Sequence, residues 1–75
     1  MTLLELIDFA LTNPPAADLY EAYDRTRQAA QNDRGQVLDV HTNTALDVLK
    51  PVLMLRRHLT ADERRILEGL RPTQA

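Results

Sequence analysis

His41 and His58 are the side chains of this 75-residue chain best suited to metal binding or proton transfer near neutral pH. They stand 17 residues apart, with no HExxH pairing and no acid at ligand spacing beside His58. Arg56 and Arg57 adjoin His58 and make its surroundings electropositive, which opposes a cation. His41 falls in the apolar stripe of a helix and reads as a buried, hydrogen-bonded group of a core or interface. Asp39, Asn43 and Asp47 recur at four-residue steps on one helical face, a spacing at which carboxylates hold a hard cation only weakly. Lys50, three residues beyond Asp47, partly neutralises them, so the row reads as a solvated face.

Serine and cysteine are absent, which removes serine and cysteine nucleophiles, disulfides and thiolate metal sites. The two glycines, Gly35 and Gly69, lie in unrelated places and make no phosphate-cradling loop. Threonine and carboxylate chemistry stays formally open, but no partner groups gather at helical spacing. A chain this small also has little room for a pocket. The expectation is a protein with no catalytic residues, no cofactor and no metal.

Charge is uneven along the chain. Residues 1–40 carry seven acids against Arg25, Arg27 and Arg34, whereas residues 41–75 carry four acids against six bases. Arg56, Arg57, Arg64 and Arg65 gather near the C-terminus and are candidates for contacts to an acidic partner or to phosphate. The stretch Leu59-Thr60-Ala61-Asp62-Glu63-Arg64-Arg65-Ile66-Leu67 resembles the capped first helix of some bacterial helix-turn-helix domains, which implies contacts to duplex DNA. A turn and a recognition helix should then follow Leu70, where five residues remain. A small DNA-binding regulator is therefore the alternative reading, and net acidity weighs against it.

These groups must be positioned by helices. Thr2-Leu3-Leu4-Glu5 is a capping box that opens a first helix from Thr2 to Thr12. Asn13-Pro14-Pro15 stops it, and Asn13 is expected to cap a second helix from Pro14 to Gln31. Ala16, Leu19, Tyr20, Tyr23 and Ala30 make a thin apolar stripe on that helix. Asn32-Asp33-Arg34-Gly35 is a turn in which Gly35 takes positive φ. The third segment, Gln36 to Leu59, places Val37, His41, Thr44, Ala45, Val48, Val52, Leu55 and Leu59 on an arc of about 100°. The register holds through Pro51, which predicts one long helix kinked there. The rival reading has a short strand at Val37–His41 and a helix from Thr44. Thr60-Ala61-Asp62-Glu63 is a second capping box and opens a fourth helix, Ala61 to about Leu70. The prediction is an all-α, four-helix, orthogonal or bundle-like domain over residues 1–70, with a frayed tail over 71–75.

The first and third helices carry an apolar surplus. Leu3, Leu4, Leu6, Ile7, Phe9, Ala10 and Leu11 span about 220° of the first, against about 100° for an ordinary surface helix. Leu46, Leu49 and Leu53 broaden the stripe of the third to about 200°, with Met54 on its polar side. A chain of this length has trouble enclosing two such helices, so Leu6, Phe9, Leu46, Leu49, Leu53 and Met54 are the expected anchors of a protein interface. A C2 homodimer is the expected assembly. The resulting expectation is a self-associating helical interaction module, a small accessory, adaptor or inhibitor protein of bacterial or phage type. No apolar run approaches the ~20 residues of a membrane span. The opening Met1-Thr2-Leu3-Leu4-Glu5 lacks a basic n-region, so a cytoplasmic location is expected.

Overall fold

The structure, a computed structural model, describes residues 1–71. Four helices pack in sequence, α1 (Leu3–Ala10), α2 (Ala16–Ala30), α3 (Val40–Leu55) and α4 (Ala61–Leu70), and no strand forms among the described residues. The predicted tail begins at Arg71, which instead pairs with Asp8 at 3.1 Å; residues 72–75 lie outside the described residues.

Both capping boxes form as read. The Glu5 amide donates to the Thr2 hydroxyl and the Thr2 amide to the Glu5 carboxylate; Thr60 and Glu63 repeat the exchange at α4. The helix ends differ from expectation in several places. α1 closes at Ala10, because the Thr12 hydroxyl and amide both turn back to the Phe9 carbonyl, at 2.6 and 3.1 Å. Asn13 does not cap α2. It adopts left-handed backbone (φ 56°) in the closing turn of α1, and Pro15 occupies the cap position without a side-chain bond. Because α2 begins at Ala16 rather than Pro14, Asn13 stands two residues before the cap position and makes no bond to the first amides of α2.

The third helix is shorter than predicted at both ends. Residues 36–39 are not helical: Val37 forms a single antiparallel bridge with Gln31, across a turn in which Gly35 has φ 73°. The Asn32 side chain accepts from the Arg34 and Gln36 amides and holds that turn. The rival strand is likewise reduced to this one bridge. Asp39 then caps α3 by accepting from the Thr42 amide and hydroxyl at 2.9 and 2.7 Å. The helix continues through Pro51 as a single element and ends at Leu55.

Its end is a Schellman motif: the Arg57 amide donates to the Val52 carbonyl and the Arg56 amide to the Leu53 carbonyl. Arg56 occupies the left-handed position (φ 50°, ψ 46°), where an L side chain costs about 1 kcal/mol relative to glycine. Arg56→Gly is therefore expected to stabilise the fold by ~0.5–1 kcal/mol, raising the thermal midpoint by about 4 °C in a circular-dichroism melt. A midpoint that falls would show that the arginine side chain makes up for its own strain.

Leu6, Ile7 and Ala10 of α1, Leu19 and Ala22 of α2, Ala45, Leu46, Leu49 and Val52 of α3, and Leu67 of α4 form the core. The two buried threonines are satisfied locally, Thr26 by the Ala22 carbonyl and Thr42 by Asp39. On α3 the buried set Thr42, Ala45, Leu46, Leu49 and Val52 is turned by roughly 90° about the axis from the predicted stripe. That stripe was phased from Val37 and extended to Leu59, neither of which is in the helix; the bulkier Leu46 and Leu49 set the inward face instead.

The Cα atoms extend over 32 × 30 × 16 Å. The short dimension accommodates about two helix axes at 8–10 Å separation. In so thin a plate every helix keeps an outer face.

Candidate interaction surface

Three of the six predicted interface anchors, Leu6, Leu46 and Leu49, lie in the chain's own core. Phe9 and Leu53 are half-buried and pack against it, and only Met54, at 78 % exposed, stands clear. The surplus on α1 is consumed internally, because α2 and α3 both pack on that helix and together cover more than the usual arc.

His41, read as a buried group, is exposed, and so is His58. Among the described residues no three histidine or carboxylate side chains converge as metal ligands would. Of the acidic row, Asp39 serves as a helix cap. Its bonds from the Thr42 hydroxyl and amide hold its carboxyl below the usual carboxylate range.

The four predicted arginines divide into two kinds. Arg57 makes a bidentate ion pair with Glu63, at 2.7 and 2.9 Å, and also donates to the His58 carbonyl. Hydrogen bonds from Arg57, with help from the Thr60 amide and against the cost of burial, bring the Glu63 carboxyl down to about 2. Arg64 reaches across to donate to the Leu11 carbonyl at 3.1 Å, with Asn13 Oδ1 at 3.4 Å, and so ties α4 to the end of α1. Both are structural ties. Arg65 meets Asp62 only at 3.7 Å with both side chains open to water, a pair of little energetic weight. Arg56 has no ion-pair partner among the described residues. A phosphate-contacting patch would therefore draw on two arginines, Arg56 and Arg65, rather than four.

Arg56 and Leu53 face Ala16, Ala17 and Tyr20 across a surface cavity of about 380 Å³ between the start of α2 and the end of α3. Tyr20, assigned to the apolar stripe of α2, is 58 % exposed there. The stripe that does face inward on α2 uses Leu19, Ala22 and Thr26. Of the residues lining the cavity, Tyr20 and Arg56 alone bring polar side-chain groups, and neither has a carboxylate or imidazole partner within it.

The most exposed large apolar side chains, Met54, Leu38, Val40 and Leu55, lie on or beside α3. Val40, Thr44, Val48, Pro51 and Leu55 fall on one arc of about 80°, centred about 135° away from the core face. Val40 is 72 % and Leu55 67 % exposed, while the three between are partly covered. No charged side chain of α3 falls within the arc. The Thr44 hydroxyl is already bonded to the Val40 carbonyl at 2.8 Å, and Pro51 has no amide hydrogen, so neither needs water for those groups. Leu38, just before the cap, is exposed as well. Of the stripe predicted to face the core, Ala45 and Val52 are buried and Val37, Val48 and Leu59 pack against the core, while His41 and Leu55 are exposed. No helix among the described residues is long and apolar enough to cross a membrane.

No protein-family model, curated protein or solved structure matches the chain.

Proposed function

We propose that this chain is a helical protein–protein interaction module, without catalytic machinery of its own, that binds through the outer face of α3. The observation that supports the reading is the uncharged row Val40, Thr44, Val48, Pro51 and Leu55, with Val40 and Leu55 exposed at its ends, along a helix of 16 residues, about 24 Å. Single exposed apolar side chains are ordinary on soluble proteins; an aligned row without a charge or a water-dependent hydroxyl is not. Covering a side chain such as Leu55 removes apolar surface from water at about 25 cal/mol per Å², which amounts to ~1.5–3 kcal/mol for a fully buried one.

A photoreactive amino acid placed at Leu55 is expected to give discrete covalent protein adducts in the native cell. The same probe at Ala29, exposed on α2, should give none. Absence of adducts from position 55 would remove the binding role of this face.

A further inference from the structure

The cavity between the start of α2 and the end of α3 continues into a smaller one of about 90 Å³, and the two share Ala16, Leu53 and Arg56. Together they form one trough. Tyr20 borders its larger part, and Pro14, Pro15 and His58 border the smaller. The chain has 11 acids and a net charge of −2, yet no carboxylate lines either part. Of the two guanidinium groups there, Arg57 is held by Glu63, whereas Arg56 has no ion-pair partner among the described residues. The trough is thus a basic, otherwise apolar strip on an acidic molecule. Leu53 lies about 180° around α3 from the centre of the outer row, so this is a different face from the one proposed above.

We infer that the trough binds an extended acidic segment of a partner protein, with an aspartate or glutamate carboxylate on Arg56 and a neighbouring apolar side chain against Ala16, Ala17 and Leu53. Charge complementarity selects the acid. The planar fork of a guanidinium takes both oxygens of a carboxylate, and the Tyr20 hydroxyl offers a further donor beside it. One unpaired guanidinium matches one carboxylate. Nucleic acid is held by several cations along its backbone, and phosphopeptides by arginine clusters; Arg57, tied to Glu63, is not free to complete one. Sites for small molecules enclose most of the ligand. Here Tyr20 and Arg56 stand open to water and the space runs on past Arg56, which suits a chain lying along it.

Random peptides displayed on phage and selected on the immobilised chain are the probe. The peptides retained are expected to share an aspartate or glutamate beside an apolar residue. Binding of one such peptide, read by calorimetric titration, should weaken about 10–100-fold in Arg56→Gly, and as much when the peptide's acid is replaced by its amide. Glycine suits the left-handed backbone at position 56, so the variant removes the cation and keeps the fold. Ala17→Glu gives a second reading. It sets a carboxylate of the chain's own in the cavity that Arg56 lines, in the first turn of α2 where an acid is favourable. It should block the peptide while the thermal midpoint holds or rises. Should Arg56→Gly melt lower than the parent, Ala17→Glu decides. A selection that retains nothing, peptides without an acid, or binding unchanged in Ala17→Glu overturns the inference. So does tighter binding of short duplex DNA or of acetate than of the peptide, lost in the same variants, which would make this a phosphate or small-carboxylate site.

Discussion

Leu49→Ala is expected to cost the fold ~2–5 kcal/mol and to lower its thermal midpoint by about 15 °C. Leu49 is fully buried in the cluster where α1, α2, α3 and α4 meet, so truncation leaves a void that surrounding side chains fill only in part. A domain of this length holds roughly 4–11 kcal/mol in all, so the loss is a large share of it. Met54→Ala on the same helix should move stability by no more than ~0.5 kcal/mol, because that side chain is already in water. Urea titration followed by circular dichroism distinguishes the two. The comparison also separates core from interface: an anchor that served only a partner would change solution mass and leave the melt alone. A Leu49→Ala chain as stable as the parent would contradict the inward phase of α3.

The second large effect is on acid stability. Glu63 is 16 % exposed and its carboxyl is lowered from about 4.5 to about 2, first by its hydrogen bonds from Arg57. A carboxyl whose folded value is depressed contributes stability above its unfolded value and loses it as pH falls toward the folded one. The contribution is thus complete above about pH 5 and gone near pH 2. A shift of this size corresponds to at most ~3 kcal/mol, and partial exposure of Arg57 reduces that to about 1–2 kcal/mol. Glutamine at position 63 keeps a side chain able to close the capping box while removing the charge. Glu63→Gln is therefore expected to lower stability by about 1–2 kcal/mol at pH 7 and to flatten the fall between pH 5 and pH 2. Glu5 and Asp39, also depressed by cap hydrogen bonds, act in the same direction from exposed positions and leave a residual slope. Unfolding curves at several pH values in parent and variant test this; parallel curves would show that the pair contributes nothing.

The features legible in the sequence are those encoded within a few residues. Thr2 with Glu5, and Thr60 with Glu63, specify helix starts because cap donor and acceptor are three positions apart. The passage of α3 through Pro51 was legible because an apolar register spanning the proline leaves little reason for a break. Helix phase was harder. α3 has two apolar faces, and counting β-branched residues, threonine and histidine with the leucines gives weight to the outer one. Which face turns inward depends on what α1, α2 and α4 bring to it, and spacing within a single helix does not contain that. The end of α3 lacked a signal because an arginine, not a glycine, takes the left-handed position. The arginine cluster read as a patch because its partners are distant in sequence: Arg57 pairs across the α3–α4 turn, and Arg64 reaches a carbonyl 53 residues earlier. The exposed end of α3 was legible only in part, through Met54.

Those long-range ties join the first helix of the chain to the last. Arg71 holds Asp8, and Arg64 holds the carbonyl of Leu11, so α1 and α4 are laced together by guanidinium groups as well as through the shared core. Loosening either terminus removes these contacts from the other, so fraying at the two ends is coupled although no covalent bond joins them.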